Sequence, residues 1–241
     1  NKVVGRIAAI INHKANQTWN EKRTRFGWIA FIDDPEVSKA LLDAAEKWGA
    51  DKGMKGIHGP LGFTDLDPEG MQVEGFENNS TITSAHNYPY FPVHMEQHGF
   101  QKSVDWVQYK FNASQPIPEK VLRINKLIAQ KYKVNTVVPK TKKEALKYVP
   151  GFFKGVNEGF RNLYGFTELN EKQIRYYTDA YFNFAKPELL CFLTDENDEV
   201  VGFGICFPSL SKAFQKAKGR LFPFGFIHIL KALRNYDEID L

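Results

Sequence analysis

Two short stretches bring together side chains able to bind or move a proton. Ile57-His58-Gly59-Pro60 follows an apolar run, so His58 would stand at the end of a strand, where open α/β sheets expose their ligand crevice. His86-Asn87-Tyr88-Pro89-Tyr90-Phe91-Pro92 alternates rings with polar tips in a proline-stiffened loop. Such a loop suits a binding surface or an anchor against a neighbouring domain. His58, Asn87, Tyr88 and Tyr90 are therefore the candidate substrate-groove residues. His94 and His98 stand four apart on one helix face, but Glu96 does not join them, so no metal site is assigned. Lys212, Lys216, Lys218 and Arg220 with Phe214 and Phe222 form a basic, aromatic segment. It suits a solvated face, a phosphate group or an acidic membrane surface. No Ser-His-Asp or Cys-His arrangement can be identified, and no Walker or dinucleotide fingerprint is present. The catalytic and cofactor-binding residues thus stay unassigned.

The clearest positioning unit runs from Arg25 to Pro60. An apolar strand ends at Asp33-Asp34-Pro35. A helical pattern over 35–52 then places Val37, Ala40, Leu41, Ala44, Ala45 and Trp48 on one face. A short strand at 54–58 follows, making a parallel crossover. Before this unit come a strand over 2–12 and a polar loop over 13–24. After it come a loop-rich segment over 59–90, a helix over 92–98 and a strand over 100–111. Residues 112–119, with two prolines, read as a linker. Beyond it the pattern gives helix 121–132, strand 134–138, helices 142–163 and 170–184, a hairpin over 189–207 turning at Asp195-Glu196-Asn197-Asp198, and the start of a strand over 237–241. The expected units are 1–111 and 120–241, both incomplete.

At 241 residues the chain can bury one large core or two modest ones. Net charge is +4 and uneven. Residues 119–241 hold 20 Lys+Arg against 14 Asp+Glu, and residues 1–118 hold 12 against 14. This is too weak a bias to point to nucleic acid. Cys191 and Cys206 read as reduced, buried thiols, and no apolar run of membrane-spanning length occurs, so a cytoplasmic protein without a membrane span is expected. Oligomeric state is not legible.

Glu199-Val200-Val201-Gly202-Phe203-Gly204-Ile205-Cys206 echoes Lys2-Val3-Val4-Gly5-Arg6-Ile7-Ala8-Ala9. A Val-Val-Gly strand in each half, a strand-helix-strand crossover and the His98-Gly99-Phe100 ending together resemble the GNAT acyl-CoA N-acyltransferase superfamily. The doubling is similar to the tandem domains of Fem-like peptidyltransferases. The resemblance implies an α+β fold, a mixed sheet flanked by helices. It also implies transfer of an acyl group from acetyl-CoA or another acyl-CoA to a small-molecule or peptide amine. That family holds the cofactor pyrophosphate on a Gln/Arg-x-x-Gly-x-Gly/Ala turn. Here Asp33-Asp34-Pro35-Glu36 stands instead, with carboxylates, no glycine and a residue lacking an N–H, so no acyl-CoA is expected there. Asp33 or Asp34 would cap the helix instead. The family's general-acid Tyr would fall at Met95, which transfers no proton. In the second unit the cofactor turn would fall beyond Leu241. The alternative is a non-catalytic binding module that kept the fold and lost the cofactor.

Overall fold

The computed structural model describes residues 2–182 and 185–241. In chain order its elements are β1 (Gly5–Ile10), α1 (His13–Thr18), β2 (Arg23–Phe31), α2 (Pro35–Ala50), β3 (Gly56–His58), α3 (Tyr90–Gln97), α4 (Glu119–Tyr132), β4 (Asn135–Val137), α5 (Lys142–Gly159), α6 (Glu171–Tyr177), β5 (Leu190–Thr194), β6 (Val200–Ile205), β7 (Phe207–Pro208), α7 (Ser211–Ala217), α8 (Gly225–Arg234) and β8 (Ile239–Asp240). The fold is α+β, with small sheets flanked by helices. Two compact units interleave along the chain. The first takes 1–106, 162–167 and 209–235; the second takes 107–161, 168–208 and 236–241. The sequence alone suggests contiguous units parted at 112–119, because short returning segments leave no composition signal.

In the first unit β1, β2 and β3 form a mixed sheet, antiparallel between β1 and β2 and parallel between β2 and β3. The ladder shifts between Arg6 and Ala8, opposite Trp28, whose φ is +47°. That is the geometry of a bulge, one extra residue on β2. α2 starts where Asp34 accepts a hydrogen bond from Glu36 N at 2.9 Å, with Pro35 as its first residue. The expected cap and proline start are therefore present. The buried face agrees with the expected one only in part: Ala45 is buried and Val37 and Leu41 pack half-buried against the core. Ser38, Leu42, Ala45 and Gly49 face inward, while Ala40, Ala44 and Trp48 are exposed. The small residues win because they allow a close approach: a Cβ on Gly49 would sit within van der Waals overlap of the Thr24 hydroxyl. Phe26, Phe31, Leu42, Phe91 and Met95 form the core. Each such burial contributes about 1.5–3 kcal/mol. Met95 thus works as packing.

Four further sequence expectations are corrected. Residues 100–111 form no strand; Phe100 instead packs edge-on against Phe26, with ring centroids 5.5 Å apart, and Trp106 packs against Gly70. The 13–24 segment contains α1, capped by Asn12. Helix 142–163 stops at Gly159. The helix expected over 170–184 is α-helical only to Tyr177, then widens into a π-turn over Thr178–Phe182, and its last two positions lie outside the described residues.

In the second unit β4, β5 and β6 are antiparallel. The hairpin turn forms as expected, with Asp195 accepting from Asn197 N and Glu199 N. α5 lies close on β6 because Gly151 faces Val200 and Gly155 faces Phe203. Cys191 and Cys206 are free and only half-buried. β8 pairs with β7, so the strand expected near the last residues is present.

Candidate functional site

The parallel ladder between β2 and β3 sets Arg25 directly beside His58. Thr24, one residue earlier, faces α2, so Arg25 and His58 face the opposite side of the sheet. Both are buried there. The chain after His58 then folds back: Leu61 N donates to Phe26 O at 2.7 Å, and Gly70 N donates to Pro60 O at 2.8 Å. Asp67 closes this loop by accepting from Phe63 N and Thr64 N, both at 2.9 Å. The loop carries Asp65 and Glu69 to the same neighbourhood, where their charges act on the Arg25 guanidinium. The 162–167 segment supplies the remaining wall. Arg25 Nη2 donates to Gly165 O at 2.7 Å, and Trp19 Nε1 donates to Phe166 O at 2.9 Å. Tyr164 is thereby held with its hydroxyl 3.5 Å from His58 Nδ1, its ring also meeting Trp106.

The electrostatics are unusual. The guanidinium is satisfied by carbonyls, with Gly62 O accepting at 3.3 Å beside Gly165 O, rather than by a close carboxylate. Burial lowers its pKa while Glu69, Glu21 and Asp65 pull it back. Burial pushes the Glu69 carboxyl from 4.5 up to about 8, with the Asp65 charge adding and the Arg25 charge opposing. Asp65 is raised by the same burial. His58 is driven down from 6.5 to about 4, by burial first and then by Arg25 and Arg23, so it is neutral at pH 7. Its Nε2 is buried without a hydrogen-bond partner, with Glu21 Oε1 3.9 Å away. A protonated carboxyl and a neutral imidazole thus both lie within the field of one fixed cation, Arg25. Such groups accept, donate and stabilise charge near neutral pH.

These shifts set opposing pH slopes. Glu69 holds its proton more tightly folded than unfolded, so stability is lost as pH climbs from 4.5 to about 8. His58 holds its proton less tightly when folded, so stability is lost as pH falls from 6.5 towards 4. Above 6.5 the Glu69 slope stands alone of the two. Urea midpoints of the wild type should fall between pH 6.5 and 8, and Glu69→Gln should flatten that fall. An unchanged slope in the variant would refute the assignment.

The other three groove candidates lie elsewhere in contact terms. Asn87 is a buried loop staple, accepting from Gln72 N at 2.7 Å and donating to Gln72 O at 3.0 Å. Tyr90 opens α3 and donates to Phe31 O at 2.7 Å. Tyr88 is exposed and stacks on Tyr90 at 5.6 Å. Arg25, Asp65, Glu69 and Tyr164 were not legible as site residues. The one signal for Arg25 is its alternation with Thr24 beside an apolar run.

A second polar cluster pins α3 to the start of α2. Ser38 Oγ, fully buried, lies 2.9 Å from His94 Nδ1 and 2.8 Å from His98 Nε2, and His94 Nε2 lies 3.0 Å from Asp33 Oδ1. The Ser-His-Asp order suggests a nucleophile, but a hydroxyl sealed from solvent cannot reach a substrate. The cluster is a latch. Ser38→Ala strands the buried His94 Nδ1 and removes a partner of the half-buried His98 Nε2, and should cost about 1–3 kcal/mol by urea denaturation. No group of His, Cys, Asp and Glu fit to hold a metal occurs among the described residues.

No family model and no solved structure matches the chain. Protein YghO of Escherichia coli (strain K12) is 26% identical over 237 residues, covering 97% of this chain and 59% of that protein. A bacterial ceramide synthase of Caulobacter vibrioides (strain NA1000 / CB15N) is 28% identical over 239 residues, covering 96% of this chain and 60% of that protein. The chain thus matches nearly end to end yet spans about three fifths of the length of these curated relatives.

Proposed function

We propose that this chain forms part of an N-acyltransferase that moves an acyl group from acyl-CoA to an amine. Ceramide is a long-chain amino alcohol carrying an acyl group on nitrogen, so the bacterial ceramide synthase relative supports amide formation as the reaction class. The observation that carries the reading is the half-buried Glu69, whose carboxyl is raised to about 8, within the field of the buried Arg25 that also acts on the buried His58. The amine nitrogen attacks the thioester carbonyl, the tetrahedral oxyanion forms, and the C–S bond breaks to release the thiolate. The Glu69 carboxylate, populated as pH approaches 8, takes the amine proton. The Arg25 cation offsets charge on the oxyanion. Neutral His58, buried beside Arg25, keeps a second positive charge out of the site.

The test is direct. The full-length protein is incubated with a series of acyl-CoAs and long-chain amino alcohols, and product amide is sought by mass spectrometry. Amide formation that needs both partners supports the reading; none across the series overturns it. A second reading, a binding module without chemistry, is supported by the α2 turn, where Asp34 caps the helix and Pro35 offers no N–H to a pyrophosphate. Calorimetric binding of the amine without acyl-CoA binding or turnover would favour it.

A further inference from the structure

The α7–α8 hairpin carries six cations, Lys212, Lys216, Lys218, Arg220, Lys231 and Arg234, and no Asp or Glu between 212 and 235. Its turn is braced. α7 ends on Lys218 in the left-handed conformation, followed by Gly219 at φ +70°. Arg220 N donates to Ala217 O at 2.9 Å, Phe226 N to Leu221 O at 2.8 Å and Ile227 N to Phe224 O at 3.1 Å. Gly225 approaches the Arg220 carbonyl so closely that a Cβ there would sit on top of it. The backbone therefore has one way to turn, and it holds Leu221, Phe222 and Phe224 outward.

α8 extends the same apolar surface. Ile229, Ala232 and Leu233 face inward and are half-buried. Phe226, Ile227 and Leu230, spaced i, i+1 and i+4, share an exposed stripe, and Phe222 meets Phe226 with ring centroids 6.1 Å apart. Phe222 is 81% exposed and Phe224 71%. Apolar side chains of this size, gathered and presented to water, mark an interaction surface rather than ordinary scatter.

We propose that this hairpin docks the protein on an anionic lipid bilayer, with the Leu221-Phe222-Phe224 tip and the α8 stripe in the interface and the cations on the phosphates. The pairing of chemistries selects this partner. Interfacial helices combine aromatic and aliphatic insertion with Lys and Arg that reach up to anionic headgroups. A nucleic acid would meet the cations and leave the phenylalanines without an apolar environment. A protein partner would have to offer acidic groups around an apolar socket, whereas a bilayer offers both as its ordinary surface. The element lies on the membrane and does not cross it: α8 has ten residues, about 15 Å of helix against a hydrocarbon core of about 30 Å. No helix among the described residues is long and apolar enough to span. This inference does not rest on the acyl-transfer reading.

Co-sedimentation of the full-length protein with vesicles tests it, using phosphatidylcholine alone and phosphatidylcholine mixed with phosphatidylglycerol. The expected result is binding to the mixed vesicles, weakened by added salt, and little binding to the neutral ones. A Lys218→Gln, Arg220→Gln, Lys231→Gln variant should weaken binding to mixed vesicles by on the order of 100-fold. A Phe222→Ser, Phe224→Ser variant should weaken it by at least about tenfold while keeping the wild-type Tm, since both rings are exposed. Three results would each overturn the proposal: no pelleting with mixed vesicles, equal binding to both vesicle types, or both variants binding like the wild type. A protein that shifts duplex DNA and ignores vesicles would overturn it as well.

Discussion

Glu69→Gln should lower the rate of amide formation by about 10²–10⁴ while leaving the fold in place. The substitution keeps the shape and the hydrogen-bonding capacity of a protonated carboxyl. It removes only the ability to ionise. Burial and Asp65 have raised this group to about 8, so in the wild type the rate should climb with pH and level off near that value. The variant should lose that limb altogether. A single-turnover pH profile with saturating acyl-CoA reads both outcomes. A variant that keeps the wild-type rate and limb would exclude Glu69 as the proton acceptor.

Arg25→Met should destabilise the protein by about 3–5 kcal/mol. The methionine fills much of the same space, so the loss is not mainly a cavity. It is the loss of the donor to the Gly62 and Gly165 carbonyls and of the cation facing Asp65 and Glu69. The Arg25 charge also holds the Glu69 pKa below where burial and Asp65 together would place it. Whatever activity survives should therefore show its pH limb displaced upward. Urea denaturation gives the first number and the pH profile the second. Stability within about 1 kcal/mol of the wild type would mean that the guanidinium is not the site's keystone.

The crossover was legible because it is local. An apolar run, a capped helix and a second short run follow one another, and each leaves its own pattern. The acidic turn told its role at once, since a proline and an Asp at a helix start have few other uses. The hairpin over 190–205 was visible for the same reason. The errors lie where tertiary context decides. Residues 100–111 have strand-forming side chains, yet Phe100 and Trp106 are taken up by packing against Phe26 and Gly70. Trp48 reads as core by size, yet Gly49 takes the inner face beside it because nothing larger fits against Thr24 of β2. The site was the least legible part. His58 could be found from its place at a strand end. Arg25 was masked by sitting at the edge of an apolar strand, and Glu69 by lying in a loop whose composition announces only a loop. Tyr164 stands more than a hundred residues from the histidine it faces, and nothing in a linear reading joins them.

The first unit draws on three separate stretches of the polypeptide. A gene cut anywhere between codons 112 and 119 would strip it of Tyr164 and of the carbonyl that seats Arg25, as well as of the basic hairpin. Neither unit can therefore have been traded between proteins by a simple end-to-end splice. Lineages that rearrange this gene should carry both units together or lose both.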